Sequence, residues 1–508
     1  MRGIRTSHMA SPPSTAPNLD PDDWDEFRAA SRRALDDMID FLRTVRDRPV
    51  WQPAPPEVAR AFRAPLPEAP RDLVEVLADF SALIRPYATG NLHPLFMGWV
   101  HGAGTPVGMI AEMLAAGLNA NCGGRNHIAL DVERQIAAWA AALFGLPADA
   151  SGLFVTGTSA ANHLALLVAR NAALGDAVRQ DGLCEHGTQL AAYTSAEAHG
   201  CIKQAMEMAG IGSRHLRTID VDARDAMRPD LLARAIASDR ARGLRPFLVA
   251  ATVGTVNTGA FDDLAALADI CRHERLWFHV DGAFGALVAL VPDLRPLIRG
   301  IERADSIAFD FHKWAHVPYD AGFLLVRDPE HHRRTFSNPA AYLHRTPSGL
   351  AAGEVWPCDL GPDLSRGFRA LKTWFTFRVH GAEKIGACIA HTCQVAKHLE
   401  RRLLEHADLF ELAAPVALNI VCFGLRASPD GELNKAIVID LQERGIAAPS
   451  TTIIDGRTVI RAAIVNHRTT EADIDALMSA LRDAALRVTL AQMQRAGEST
   501  PVPVAAAV

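Results

Sequence analysis

The sequence lacks the features that mark membrane, secreted and zinc-binding proteins. No run of about 18 apolar residues occurs in its 508 positions, and no basic segment followed by an apolar core opens the chain. Its eight cysteines form no CxxC pair and stand at no His/Cys spacing typical of metal ligands. We therefore expect a reduced protein of the cytoplasm, with no metal site and no membrane partner.

An excess of basic residues is also missing. The 52 Lys and Arg against 58 Asp and Glu give a formal net charge of −6, and charges of both signs are mixed along the chain. No basic surface for nucleic acid is indicated. The hydrophobic share of 49% and the length, which is several times that of a typical domain, predict a large folded core.

The most informative stretch is SIAFDFHKW at 306–314, an apolar strand pattern that ends on Lys313. A lysine at the exit of a buried strand is poorly hydrated, which lowers the pKa of its amine. A neutral amine can attack a carbonyl and can therefore hold an aldehyde cofactor as a Schiff base. Because most lysines are solvated surface charges, this interpretation needs support from other residues.

A second apolar run, LWFHVD at 276–281, ends on Asp281. An aspartate there is usually a turn former or a helix cap, but its separation from Lys313 also leaves room for a crossover between neighbouring strands. In pyridoxal 5′-phosphate (PLP) chemistry, an aspartate facing the pyridine nitrogen stabilises the cation that makes the ring an electron sink. Asp281 and Lys313 would then hold opposite ends of one PLP ring.

Six segments together resemble one family. They read HPLF at 93–96, TGTSAAN at 156–162, EAHG at 197–200, HVDGAF at 279–284, DFHKW at 310–314 and FRALKTWF at 368–375. In this order and spacing they resemble the PLP-dependent group II amino-acid decarboxylases over roughly residues 20–490. The resemblance implies the PLP-dependent transferase fold type I (aspartate aminotransferase-like), PLP as cofactor, an L-amino acid substrate, and a homodimer with active sites at the subunit interface.

Alternating apolar strands and amphipathic helices predict an α/β domain with a mostly parallel sheet, whose ligands bind beyond the carboxyl ends of the strands. The predicted strands are 152–156, 191–195, 247–252, 277–280, 306–309 and 323–326. The predicted organisation is a disordered tail (1–18), an N-terminal helical arm that clasps the partner by resemblance (19–90), a large PLP-binding domain (91–375), a small α+β domain (376–495) and a flexible tail (496–508).

The segment 156–162 is predicted to turn from a strand into a helix. The amides of Thr158, Ser159 and Ala160 at this helix start, with two hydroxyls, would form an anion site that suits the PLP phosphate. The segment contains neither GxxxxGK[ST] nor GxGxxG, so it is not a nucleotide-binding loop of those types. A plain helix cap remains the alternative interpretation.

The resemblance implies further roles for single residues. His199 would stack on the PLP ring, Ala283 would lie below the opposite face, and His312 would lie near the phosphate or the substrate carboxylate. Tyr342, in a turn-rich loop, would donate the proton that quenches the carbanion; phenylalanine there is associated with aldehyde formation. Asp310 departs from the family, because close relatives often have asparagine near the phosphate, and like charges repel unless Asp310 turns away.

The substrate pocket is predicted from the residues Trp99, His101, Asn119, Asn121 and Arg125. Arginine can bind a carboxylate bidentately, which suits an acidic substrate, whereas Trp99 and His101 suit an aromatic ring. Both substrate classes stay open. The expected reaction is decarboxylation of an L-amino acid to an amine and CO₂ through Lys313. The alternatives are an oxidative aldehyde synthase on the same scaffold, another fold type I PLP enzyme such as an aminotransferase or carbon–carbon lyase, and a binding protein without cofactor.

Overall fold

The computed structural model describes residues 17–184, 189–338, 344–353 and 355–498. The chain divides into two compact units. The first contains the residues up to Thr44 together with Ala54–Ala88, and the second contains Val45–Pro53 and the residues from Thr89 onward. All predicted site residues that the structure describes therefore belong to the second unit.

The helices are α1 (Trp24–Arg43), α2 (Pro56–Ala61), α3 (Leu73–Asp79), α4 (Pro106–Leu118), α5 (Ile128–Phe144), α6 (Thr158–Leu174), α7 (Val178–Asp181), α8 (Cys201–Met208), α9 (Pro229–Ala241), α10 (Leu264–Glu274), α11 (Pro329–Phe336), α12 (Arg369–Leu404), α13 (Glu432–Glu443) and α14 (Glu471–Glu498). The strands are β1 (Phe96–Met97), β2 (Ser151–Val155), β3 (Leu190–Ser195), β4 (Leu216–Ile219), β5 (Arg245–Thr252), β6 (Trp277–Asp281), β7 (Ser306–Asp310), β8 (Gly322–Val326), β9 (Phe410–Leu412), β10 (Ile420–Leu425), β11 (Ala448–Ile454) and β12 (Arg457–Ala463).

The larger sheet has the strand order β2-β8-β7-β6-β5-β3-β4. The strands from β7 across to β4 pair in parallel, and β8 is antiparallel to both of its neighbours. The predicted α/β fold with a mostly parallel sheet is confirmed, and each predicted strand begins and ends within two residues of an observed one. The strand β4 is absent from the predicted strands because it is short, lies at the sheet edge and carries the polar residues Arg217 and Thr218.

Both faces of this sheet are covered by helices. Phe154 and Phe309 belong to the core cluster on the α5 side, whereas Leu153, Val155 and Ala308 pack against α6 on the other face. A sheet covered on both faces needs strands that are apolar at almost every position. Each polar side chain in such a strand therefore needs a partner nearby.

The pairing of β6 with β7 brings the two main candidate residues to one edge of the sheet. Asp281 is the last residue of β6, and β7 ends at Asp310, just before Lys313. The start of α6 reaches the same edge because Gly322 and Gly157 approach closely; a Cβ on Gly322 would lie 2.3 Å from the Gly157 Cα. Parallel strands thus present their carboxyl ends and a helix start at one place.

The smaller sheet has the order β1-β11-β12-β10-β9, with β1 parallel to β11 and the other pairs antiparallel. Its apolar side chains form a core with α13, α14 and the second half of α12. The predicted boundary after residue 375 lies within α12, and the division of this unit into a large and a small domain stays a prediction. Within the described ranges, no helix is both long enough and apolar enough to cross a membrane.

Candidate active site

One cavity of about 380 Å³ at the carboxyl edge of the larger sheet contains most of the predicted site residues. Those that line it are Trp99, His101, Thr158, Ser159, His199, Asp281, Ala283, His312 and Lys313. Residues that the sequence did not assign to the site also line it, among them Cys201, Phe284 and Tyr319. The structure thus brings together side chains that are more than 200 positions apart in the sequence.

Of the predicted site residues that the structure describes, four do not line this cavity. Asn119 follows α4 in a left-handed conformation (φ 45°), where it ends the helix. Asn121 Oδ1 accepts the amides of Gly123 (3.0 Å) and Arg366 (3.1 Å). Asn119 thus ends a helix and Asn121 binds two backbone amides, and neither lines the cavity.

The Arg125 guanidinium lies over the Trp356 ring at 4.8 Å, away from the cavity lining. Ala160 is the third residue of α6, and its amide donates to the Gly157 carbonyl (3.0 Å). Tyr342 lies outside the described residues. The predicted polar side of the substrate pocket is therefore not assembled by these residues.

The Asp281 carboxylate is buried, with 2% of the residue exposed. Its Oδ1 accepts the Ala283 amide (3.1 Å), its Oδ2 accepts the Asn162 side-chain amide (2.9 Å), and the Cys201 thiol lies 3.9 Å from Oδ2. Burial raises the pKa of Asp281, while the charge of Lys313 and the bond from Asn162 act in the opposite direction. All three hydrogen-bond partners are neutral, so a cationic group in the cavity would stabilise the ionised carboxylate.

Lys313 has an ion-pair partner that the sequence did not predict. Its Nζ lies 3.0 Å from Asp310 Oδ2, and Asp310 Oδ1 accepts the Thr158 amide (2.8 Å) at the start of α6. Asp310 is 1% exposed. The carboxylate therefore does not turn away from the helix start; it occupies the position where a partial positive charge favours an anion.

Of the histidines that line the cavity, His312 and His199 are held by backbone amides. His312 Nδ1 accepts the Ala321 amide (3.0 Å), which leaves the proton on Nε2, 3.6 Å from Asp310 Oδ2. Burial lowers the pKa of His312. His199 Nδ1 accepts the Cys201 amide (3.2 Å) at the start of α8. Both rings thus have one nitrogen fixed and one edge left for the cavity.

The residues present fit PLP. Thr158 Oγ1 is buried and has no hydrogen-bond partner among the residues described, so it can donate to a phosphate oxygen. The Lys313 amine can bind an aldehyde carbon, and the buried Asp281 can face a protonated ring nitrogen. Two of the three predicted phosphate-binding amides already have acceptors, namely Thr158 with Asp310 and Ala160 with Gly157.

The comparisons with known proteins agree with this assignment. The sequence matches the pyridoxal-dependent decarboxylase conserved domain over residues 55–426. It is 32% identical over 480 residues to the aromatic-L-amino-acid decarboxylase of Bacillus atrophaeus, across 92% of this chain and 97% of that protein. It is 30% identical over 465 residues to the phenylacetaldehyde synthase of Arabidopsis thaliana, across 88% and 93%.

A solved structure extends the comparison to three dimensions. The crystal structure of Oryza sativa TDC with PLP and tryptamine superposes with a TM-score of 0.85 at 26% identity, across 93% of this chain and 100% of that one. Fold and cavity together define a PLP-dependent enzyme of fold type I. The chain belongs to the pyridoxal-dependent decarboxylase family and is a PLP-dependent amino-acid decarboxylase, which confirms the predicted family, fold and cofactor.

The position of Asp310 leads to a prediction about cofactor affinity. In the variant Asp310→Asn, the amide oxygen can still accept the Thr158 amide, but the negative charge beside the phosphate position is removed. We expect the apoenzyme of this variant to bind PLP about tenfold more tightly, because one like charge no longer opposes the phosphate. Quenching of tryptophan fluorescence during a PLP titration measures the dissociation constant.

Asp320→Asn is the matched control, since Asp320 pairs with Arg369 (2.9 Å) and does not line the cavity. It changes the net charge by the same amount and should leave the PLP dissociation constant unchanged. Weaker PLP binding by Asp310→Asn would contradict a net repulsion between this carboxylate and the phosphate.

Proposed function

We propose that the enzyme decarboxylates an aromatic L-amino acid to the corresponding amine and CO₂, with PLP attached at Lys313. The observation that supports this most is the presence, in one cavity, of the Lys313 amine and the buried Asp281 carboxylate. The amine suits the cofactor aldehyde, and the carboxylate suits a protonated pyridine nitrogen.

PLP, when bound, supplies the electron sink that accepts the electron pair left by the departing carboxyl group. In this proposal His199 would stack on one face of the ring, and Ala283 would support the other. Thr158 and Ser159 would bind the phosphate, and the Nε2–H of His312 would be available to the phosphate or the substrate carboxylate. These side chains orient the bond that breaks, which is how a protein contributes most to such a reaction.

Aromatic side chains favour an aromatic substrate. The rings of His101, Phe96 and Trp99 pack against one another: the His101 centroid lies 5.7 Å from each of the other two, which are 6.3 Å apart, and the Tyr319 ring meets His101 edge-on at 6.1 Å. Trp99, His101 and Tyr319 line the cavity, whereas no arginine lines it within the described part of the chain. The arginine that could have recognised an acidic substrate, Arg125, lies over Trp356 instead.

Substrate choice can be tested with a panel of L-amino acids. We expect amine release from aromatic substrates and at least a hundredfold lower kcat/KM for glutamate, aspartate and cysteine sulfinate, because the described cavity offers rings and no arginine to bind a second carboxylate. Trp99→Ala should lower kcat/KM for aromatic substrates about tenfold, mostly through KM, because stacking area is lost.

Arg125→Gln is the control for this panel and should leave the aromatic kcat/KM within about twofold of the parent. Preferred turnover of acidic amino acids, abolished by Arg125→Gln, would overturn the aromatic assignment and restore the polar interpretation of the pocket. A chain that releases no amine from any substrate would contradict the proposed reaction.

The second candidate function is oxidative aldehyde formation on the same scaffold, because one relative is a phenylacetaldehyde synthase. The residue at position 342 distinguishes the two. It is a tyrosine here, and a phenol with a pKa near 10 is protonated at neutral pH and can return a proton to carbon. We therefore propose amine as the main product.

Tyr342→Phe should still release CO₂ but make far less amine, with uptake of oxygen and formation of aldehyde and ammonia instead. Parallel measurements of CO₂, amine, oxygen and aldehyde test this product switch. An equal rate of amine formation in parent and variant would show that Tyr342 is not the proton donor. Aldehyde as the main product of the parent would favour the second candidate.

We also propose a homodimer whose N-terminal helical arm packs against the partner subunit. The first unit leaves large apolar side chains exposed, including Trp24, Phe27, Leu73, Val74 and Val76. Exposed apolar area of this kind is typical of an interface. Light scattering during gel filtration should give twice the mass of the chain; a monomeric mass at micromolar concentration would contradict this proposal.

A further inference from the structure

Behind Asp281, four polar side chains form one continuous row of hydrogen bonds. Trp277 Nε1 and His279 Nδ1 both lie 2.8 Å from Ser306 Oγ. His279 Nε2 lies 2.8 Å from Asn162 Oδ1, and Asn162 Nδ2 donates to Asp281 Oδ2 at 2.9 Å. The row connects residues of β6 and β7 with α6.

The direction of each bond follows from the chemistry of its ends. An ionised carboxylate only accepts, so Asn162 turns its NH₂ to Asp281 and its oxygen to His279. The Asn162 oxygen can only accept a hydrogen bond, so His279 must carry its proton on Nε2. The His279 Nδ1 is then unprotonated and can only accept. The Ser306 hydroxyl then donates to Nδ1 and accepts from Trp277, whose indole can only donate.

No hydrogen bond in this row is left unmade. The second proton of the Asn162 amide faces Cys201 Sγ at 3.1 Å, so every polar atom of that amide is used. His279 is 2% exposed, and burial lowers its pKa to about 4, which keeps the ring neutral at physiological pH. If Asn162 reversed, its oxygen would face the Asp281 carboxylate and two acceptors would repel.

We propose that His279 is a positioning residue for the cofactor, which acts through Asn162 to keep Asp281 ionised and turned toward the pyridine nitrogen. Its role is to donate one proton to Asn162 in a fixed tautomer, and it does not itself line the cavity. The inference rests on the role proposed for Asp281. Neither Asn162 nor His279 has a part in the proposed reaction other than this one.

Two amide variants of the same residue separate hydrogen bonding from packing. In His279→Gln the longer side chain can place an N–H near the position of Nε2 and so keep the bond to Asn162. In His279→Asn the shorter side chain can reach Ser306 but not Asn162. Both variants replace a buried ring by a smaller amide. A loss of PLP binding that comes from packing alone should therefore appear in both.

The readout is the protonation state of the cofactor ring in the holoenzyme without substrate. PLP labelled with ¹⁵N at the pyridine nitrogen is added to each apoenzyme, and solid-state NMR distinguishes the protonated from the unprotonated nitrogen. We expect a protonated signal in the parent and in His279→Gln, and a shift toward the unprotonated signal in His279→Asn. The PLP dissociation constant should rise about tenfold in His279→Asn and less than threefold in His279→Gln.

Asn162→Leu removes the hydrogen bonds of the Asn162 amide and keeps His279 and Asp281 in the chain. It provides a second test if His279→Asn does not fold. It should show the same shift as His279→Asn. A protonated nitrogen and an unchanged PLP dissociation constant in both variants would overturn the proposal, as would equal losses in His279→Gln and His279→Asn.

The variant Asp281→Asn shows which assumption fails. If its ring nitrogen stays protonated, the role proposed for Asp281 is wrong. If the nitrogen of Asp281→Asn loses its proton while His279→Asn and Asn162→Leu keep theirs, only the positioning role of His279 is wrong.

Discussion

The burial of the Asp281 carboxylate is the constraint on which the rest of the site depends. A carboxylate with 2% exposure is unstable as an ion unless donors or a positive charge compensate the lost water. Ala283 and Asn162 supply neutral donors on two sides, and the third side opens on the cavity that contains Lys313. A cofactor that presents a protonated ring nitrogen at one end and an aldehyde at the other suits both residues at once.

The sheet explains why these groups can be placed so accurately. The strands β6 and β7 are parallel neighbours, apolar on both faces, and held by helices on either side, so their ends have little freedom. Each ends on a carboxylate, and the two carboxylates have different tasks. Asp281 faces the cavity with neutral donors around it, whereas Asp310 binds the start of α6 and the Lys313 amine. At this edge Asp310 pairs with the Lys313 amine, and we propose that Asp281 pairs with the ring nitrogen of the cofactor.

Much of this site could be predicted from sequence, because Lys313 and Asp281 each end an apolar run and a parallel sheet places such ends together. Asn121 and Arg125 could not be placed, since their contacts with Arg366 and Trp356 come from more than 200 positions away, whereas Asn119 serves only to end α4. The His279 network did leave a signal. Polar residues two apart in an apolar strand share one face, and Ser306 faces His279 from the next strand. What the sequence did not show was Asn162 on α6, which joins them to Asp281.

We propose that Lys313 and Asp281 hold one PLP ring between them. Borohydride reduction of the yellow holoenzyme, followed by peptide mapping with mass spectrometry, tests it most directly. We expect a single pyridoxyl label on Lys313 in the parent, a label on the same residue in Asp281→Asn despite weaker PLP binding, and no label in Lys313→Ala. A label on another lysine of the parent, or a colourless protein that PLP cannot reconstitute, would contradict it.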